Sequence, residues 1–274
     1  MTDLKQKLYD LQNYFKELGS VAIAFSSGVD STFMLAAASE VLPKDKVLAI
    51  TAVSDFFPER EKSEADAFCQ ERGIKHIFLP IDILKIDEVK QNPKNRCYLC
   101  KYALFTQIQK LALENGIQNV CEGSNLDDLQ DYRPGMQAIA ELNIKSPLKI
   151  AGLTKQDIRE LSKEMNLPTW NKPSFACLAS RFVYGEEITT EKLRMVEKAE
   201  QFLADLGFKQ FRVRLHGTMA RIEVLPQDIE KITSQETREI IIEAFAKYGF
   251  SYTTLDLKGY RTGSMNETIL KDTK

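Results

Sequence analysis

The chain is predicted to be an α/β protein, a doubly wound parallel sheet followed by a smaller α+β unit. Three observations predict this class. Short apolar runs at residues 21–25, 47–53 and 77–83 alternate with longer stretches whose apolar residues recur at helical spacing. The first run breaks off in Ser26-Ser27-Gly28 and passes at once into a helical stretch, a corner small enough for an anion to reach backbone N–H groups. Beyond residue 183 the rhythm changes to a helix, two adjacent strands, helices and a last strand. The division expected from this is 1–183 and 184–274.

Taken in order, Leu4, Leu8, Leu11, Phe15 and Leu18 define a first helix that Gly19 closes. Residues 21–25 are all apolar, as a parallel strand buried on both faces requires. The helix after the turn is expected over 31–40, with Phe33, Met34, Leu35 and Ala37 toward the sheet. A strand over 47–53, a charged helix over 59–72 ending at Gly73 and a strand over 77–83 follow. A helix over 98–115 and a short strand over 118–123 complete the alternation. Ligands of such sheets lie at the carboxyl ends of the strands, where residues 26–31, Ser54 with Asp55, and 122–128 fall. Thr154-Lys155-Gln156-Asp157 reads as a capping box, and that helix stops at Asn166-Leu167-Pro168. Residues 168–187 are irregular. The second unit then reads helix 190–206 closed by Gly207, strands 211–216 and 220–225, helices within 228–248, and strand 252–258.

A composition of 43% apolar and 28% charged residues is that of a globular protein, and a net charge of −2 leaves no basic footprint for nucleic acid. No apolar run approaches a membrane span, and the N-terminus has no signal-peptide core. A cytoplasmic location is expected, with neither nucleic acid nor membrane as partner. The five cysteines then read as thiols or metal ligands rather than disulfides.

In Ser26-Ser27-Gly28-Val29-Asp30-Ser31 the Gly-Lys-[Ser/Thr] ending of a kinase-type loop is missing. A carboxylate beside a hydroxyl, Asp30 and Ser31, suits a magnesium pyrophosphate instead. The segment resembles the PP-loop of the ATP pyrophosphatase superfamily, usually Ser-Gly-Gly-x-Asp-Ser. It departs at Ser27, which a negative φ would accommodate. The resemblance implies an adenine nucleotide α-hydrolase-like fold, cleavage of ATP between its α- and β-phosphates, and transfer of AMP to a substrate. Asp30 and Asp128 are the candidates to reach magnesium, and Gly123 allows close approach of the nucleotide.

Cys97-Tyr98-Leu99-Cys100 follows Asn95, a candidate N-cap, so both thiols share a face at the start of a helix. The pair is half a site for zinc or an iron–sulfur cluster, with a thioredoxin-type redox pair as the competing use. Cys177 is the expected third ligand, close to Arg181, an arginine suited to phosphate or carboxylate. Cys69 and Cys121 read as packed core thiols. Strand alternation places Arg212, Arg214 and His216 on one face, where two guanidiniums can fork onto a phosphate unless the face is merely solvated. Glu200 and Glu223 read as surface charges, with substrate positioning or a second metal as the alternative, and His76 reads as structural.

The whole set is similar to the LarE-type sulfur transferases, a branch of the PP-loop superfamily. The likeness runs through Glu122-Gly123-Ser124-Asn125-Leu126-Asp127-Asp128, Asp131-Tyr132-Arg133-Pro134-Gly135, Trp170-Asn171-Lys172, Ser180-Arg181-Phe182, Arg212-Val213-Arg214 and Ala220-Arg221-Ile222-Glu223. It implies adenylation of the carboxyls of a pyridinium-3,5-dicarboxylate mononucleotide and their conversion to thiocarboxylates for the nickel-pincer nucleotide. It also implies ATP and Mg2+, Ser180 beside Arg212 and Arg214 at the substrate phosphate, homo-oligomers such as hexamers, and work alongside the other nickel-pincer biosynthesis proteins. In one version of the family a single cysteine near Cys177 gives up its own sulfur. In the other, cysteines matching Cys97, Cys100 and Cys177 hold a [4Fe–4S] cluster, and this chain has all three. A tRNA thiolase would use the same adenylation but calls for a basic surface. An amide-forming ligase would leave the three cysteines idle; a zinc-stabilised nucleotide sensor would use Cys97 and Cys100 as structural ligands, but a structural zinc wants four ligands and three are visible.

Overall fold

The computed structural model describes residues 2–54, 56–57, 59–130, 134–173, 176–261 and 264. The chain divides into two compact units, one built from residues up to 83 together with 95–175, the other from 84–94 together with 176 onward.

In the first unit β1 (Val21–Ala24), β2 (Val47–Val53), β3 (Lys75–Pro80) and β4 (Val120–Cys121) form a parallel sheet in the order β3-β2-β1-β4. Both faces are covered, which is why β1 and β2 are apolar without alternation. Val21, Ile23, Val47 and Ala49 face one cluster with α1 (Asp3–Leu18), α2 (Val29–Val41) and α3 (Glu59–Arg72). Ala22, Leu48 and Ile50 face the other, with Phe105 and Ile108 of α4 (Arg96–Glu114) and Ile139 of the short helix Gly135–Glu141. α5 (Lys155–Glu164) completes the first face through Ile158 and Leu161, and Thr154 and Asp157 form the expected capping box. α2 buries Phe33, Met34, Leu35 and three alanines around its whole circumference, the signature of a core helix.

Three of the boundaries that differ from expectation do so for local reasons. α2 begins at Val29, two residues early, because Gly28 serves as its N-cap. β3 ends at Pro80, which has no N–H for the ladder, and Ile83–Lys85 turns into a 3-10 helix. β4 pairs only at Val120 and Cys121.

In the second unit β5 (Phe211–His216) and β6 (Met219–Val224) form a hairpin whose turn holds Gly217 at φ +62. β7 (Tyr252–Leu255) joins parallel to β6, reached through α7 (Gln235–Tyr248), and α6 (Thr190–Asp205) packs on β5. Residues 84–94 belong here although both flanks lie in the first unit. Asn92, buried at φ +52, donates from Nδ2 to Val183 O (2.6 Å) and accepts from Gly185 N (2.8 Å); Ile188 N donates to Lys90 O. The boundary expected at 183 thus differs from the observed change of unit, which falls at 175/176 and includes this excursion. No helix of the described residues is long and apolar enough to cross a membrane.

Candidate active site

The strand order reverses beside β1, with β2 and β3 on one side and β4 on the other, and a doubly wound sheet opens its ligand crevice at such a point. Residues 25–28 leave β1 there and 122–125 leave β4. The first backbone bond of α2 is Thr32 N to Gly28 O (2.9 Å); the N–H groups of Gly28, Val29, Asp30 and Ser31 have no acceptor among the described residues. Four unclaimed amides at the start of a helix are an anion cradle. Its shape is held from inside: Ser31 Oγ accepts from Ser26 N (3.3 Å) and donates to Gly28 O (3.3 Å).

Gly123 closes the other side. A Cβ there would stand 3.3 Å from Asp30 Cβ and 3.4 Å from Ser31 N, so a larger residue would press on the loop where β4 ends. Asp30 accepts from Asn125 Nδ2 (3.2 Å) and takes Lys155 Nζ as its ion-pair partner. Asn125 is fixed in turn, its N–H on Asp128 Oδ2 (3.0 Å) and its Oδ1 on Asp127 N (3.0 Å), while Lys155 N donates to Asp127 Oδ2 (2.8 Å). Ser27 is corrected: its φ is +51, not negative. His76 is structural, as expected. It sits 2.8 Å from Thr51 Oγ1, whose hydroxyl donates to Phe25 O (2.7 Å), and burial pushes its imidazole below the ordinary value.

Cys97 and Cys100 lie in the first turns of α4, capped by Asn95 without a side-chain bond. Cys97 is exposed and Cys100 half-buried. Arg96 Nη2 approaches Cys97 Sγ at 4.0 Å. The next residue on that face, Lys101, pairs with Glu122 Oε2 at 3.8 Å, and a Cβ on Gly135 would meet Lys101 Cδ at 2.8 Å and Cys97 O at 3.3 Å. Glu122 itself accepts from Ser124 and Ser146 directly before Gly123. A continuous set of contacts therefore joins the cysteine turn to the phosphate loop. Cys69 and Cys121 are buried in the core, and burial pushes the Cys69 thiol up to about 12 and raises that of Cys121 as well. Among the described residues no three His, Cys, Asp or Glu side chains stand together as a preformed metal group.

Cys177 is exposed in the second unit, at the start of the 3-10 turn Leu178–Arg181. Arg181 is fully buried and braces this turn. Its Nε and Nη2 fork onto Glu200 (2.9 and 2.8 Å), and Nη1 donates to Ala176 O (2.7 Å), Cys177 O (3.2 Å) and Ser180 Oγ (2.9 Å). Arg214 repeats the device, with Nε and Nη2 on Glu223 (3.1 and 3.0 Å) and Nη1 on Ser180 O (2.8 Å). Glu200 and Glu223 are therefore not surface charges: they are 3% and 0% exposed and neutralise guanidiniums. Nor is the Arg212–Arg214 face solvated, since both arginines are buried. Arg212 lies 5.1 Å from the Tyr260 ring and donates to Phe211 O; burial, then the charge of Arg181, lowers its guanidinium to about 10.

No family model matches the chain, but individual relatives do. A pyridinium-3,5-bisthiocarboxylic acid mononucleotide synthase of Lactiplantibacillus plantarum is 36% identical over 275 aligned residues, covering 99% of this chain and 98% of that protein. The chain belongs to this synthase family. An uncharacterised protein of Synechocystis is 42% identical over 268 residues, 98% of this chain and all of that protein. An uncharacterised protein of Methanocaldococcus jannaschii is 33% identical over 260 residues, 94% and 98%.

Within this synthase fold the buried pairs carry an expected result of their own. Glu200→Ala leaves Arg181 buried without its carboxylate and costs about 3–5 kcal/mol of unfolding free energy in urea. Burial opposes the charge of Glu200, but Arg181, its hydrogen bonds and Arg212 outweigh it and hold the carboxyl below the ordinary 4.5. A depressed carboxyl stabilises the fold above its unfolded value and loses that contribution as pH falls through the folded one. Wild-type stability should therefore decline below pH 4.5 more steeply than that of Glu200→Gln, as successive urea titrations would measure.

Proposed function

We propose that this protein is an ATP-dependent sulfur transferase that adenylates the carboxylates of pyridinium-3,5-biscarboxylic acid mononucleotide and converts them to thiocarboxylates for the nickel-pincer nucleotide. The relative's name supports the product. The observation that carries the ATP half is the row of unclaimed amides at Gly28–Ser31 with Gly123 packed beside it. A carboxylate oxygen of the substrate attacks the α-phosphorus, the bond to the bridging oxygen of the β-phosphate breaks, and pyrophosphate leaves into the cradle. Ser26, Ser27, Gly28 and Ser31 form its wall, and the amides stabilise the charge of the leaving group. Sulfur then displaces AMP from the acyl adenylate.

Asp30 and Asp128 would hold Mg2+, which neutralises phosphate charge when bound. Both oxygens of Asp30 already have donors, and Lys155, on a flexible and partly exposed stem, is the one able to release it. For sulfur delivery the donor chemistry supports a [4Fe–4S] cluster: Cys97 and Cys177 are exposed and Cys100 half-buried, whereas Cys69 and Cys121 are sealed in the core. Cys97, Cys100 and Cys177 would hold it, and the cluster would supply sulfur without consuming the chain. The family resemblance is the support for a cytoplasmic homo-oligomer working beside other nickel-pincer biosynthesis proteins.

The substrate phosphate belongs with Arg212, with Ser180 and Arg214 alongside. Arg212 is buried within reach of the like charge of Arg181, and an anion held there would relieve the repulsion. Arg212→Ala should weaken mononucleotide binding by about tenfold or more while ATP affinity stays the same. Parallel titrations with the two ligands test it, and equal losses for both would remove Arg212 from the phosphate site.

A further inference from the structure

Among the described residues four other than glycine have positive φ: Ser27, Asn92, Asn143 and Asn166. Asparagine tolerates that region. Serine does not share the preference, so Ser27 is held there by something outside itself. Its Oγ donates to Glu61 Oε2 at 2.8 Å and lies 3.2 Å from Glu61 O. Lys172 Nζ donates to the carbonyl of Ser27 (3.2 Å) and to Glu61 Oε2 (2.6 Å), with Glu64 as a further partner. Ser27 and Glu61 are buried, and the Lys172 backbone is itself tied down, because Arg159 Nη2 donates to Lys172 O (2.7 Å) and Nη1 to Trp170 O (2.7 Å).

This arrangement grips one peptide unit from two sides. The Ser27–Gly28 bond is trans, so its C=O and N–H point in opposite directions. With the carbonyl turned to Lys172, the N–H of Gly28 is turned away from it. We propose that Glu61 and Lys172 are positioning residues for nucleotide binding, which hold the Ser27–Gly28 peptide in the orientation that presents the Gly28 N–H to a phosphate oxygen. The proposal rests on reading residues 26–31 as the ATP phosphate loop. It also accounts for a serine at a position where the superfamily pattern has glycine: the strain of the left-handed serine is offset by a hydroxyl bond that glycine would not make.

A thermodynamic cycle on ATP binding tests it, measured by calorimetry with Mg2+ and without the carboxylate substrate, so that no turnover occurs. Ser27→Ala keeps the strain and loses the hydroxyl, and should weaken ATP binding by about tenfold. Ser27→Gly adopts the positive φ freely and should recover most of that loss. Glu61→Ala should weaken ATP binding by a similar factor in the native background and by much less in the Ser27→Gly background. Mononucleotide binding should stay constant throughout. If Glu61→Ala does not fold, Glu61→Gln, which keeps an acceptor for Ser27 but not the charge for Lys172, replaces it in the same cycle. Equal losses in the two backgrounds, or lower melting temperatures with unchanged ATP affinity, would overturn the proposal. Asp30→Ala run alongside separates the two readings: normal ATP binding there rejects the phosphate loop itself, while weakened binding with silent Glu61 variants rejects only the positioning role.

Discussion

Asp30→Ala is expected to abolish ATP-dependent pyrophosphate release while leaving the fold intact. The carboxylate stands in the second position of α2, beside four amides with no acceptor among the described residues and close against Gly123, whose Cβ, were it present, would stand 3.3 Å from Asp30 Cβ. Its two partners, Lys155 and Asn125, do not depend on it for stability. Lys155 is 30% exposed and returns to water, and Asn125 keeps its bonds to Asp127 and Asp128. The stability change should thus stay near 1 kcal/mol, as for other partly exposed pairs. The rate is another matter. Removing one group that stabilises developing charge costs roughly 100- to 1000-fold, and Asp30 would hold the metal as well. Pyrophosphate release measured beside a thermal melt decides it: full release with an unchanged melt would sink the assignment of residues 26–31 to ATP.

How much of this was legible in the residues depends on how local the controlling physics is. β1, the loop and α2 could be read because apolar runs, small residues and a helix start each act on their own neighbours. The capping box at Thr154 and Asp157 is the same kind of feature. The left-handed Ser27 was not legible, since the groups that hold it come from residues 61 and 172. Glu200 and Glu223 were misread for a related reason. A charged residue in an amphipathic helix or strand looks solvated until its partner is known, and here the partners lie on the 3-10 turn at Arg181 and across the hairpin at Arg214. The excursion of 84–94 into the second unit hangs largely on Asn92, a residue that by type marks only a turn. Pairings over long sequence separations shape most of what was missed, and they also let Arg181 and Arg214 brace the Cys177 turn.

That turn is where the two ways of delivering sulfur diverge. Arg181 and Arg214 fix the carbonyls of Ala176, Cys177 and Ser180, which leaves the Cys177 thiol exposed on a rigid backbone. A sacrificial donor and a cluster ligand would both use such a thiol. What separates them is the pair on α4. A sacrificial mechanism needs one cysteine and gives Cys97 and Cys100 nothing to do, although both are accessible and joined through Lys101 and Glu122 to the loop region. Cys97→Ala, purified without oxygen, should therefore lose both its iron and its sulfur-transfer activity while still releasing pyrophosphate from ATP and substrate. Wild-type protein supplied with iron and sulfide should turn over repeatedly, with the mass at Cys177 unchanged. If Cys177 is the donor instead, each chain stops after one transfer and loses the mass of one hydrogen sulfide, leaving dehydroalanine at position 177. Iron-free protein with that mass loss, and with Cys97→Ala as active as wild type, would replace the cluster by the cysteine itself as the source of sulfur.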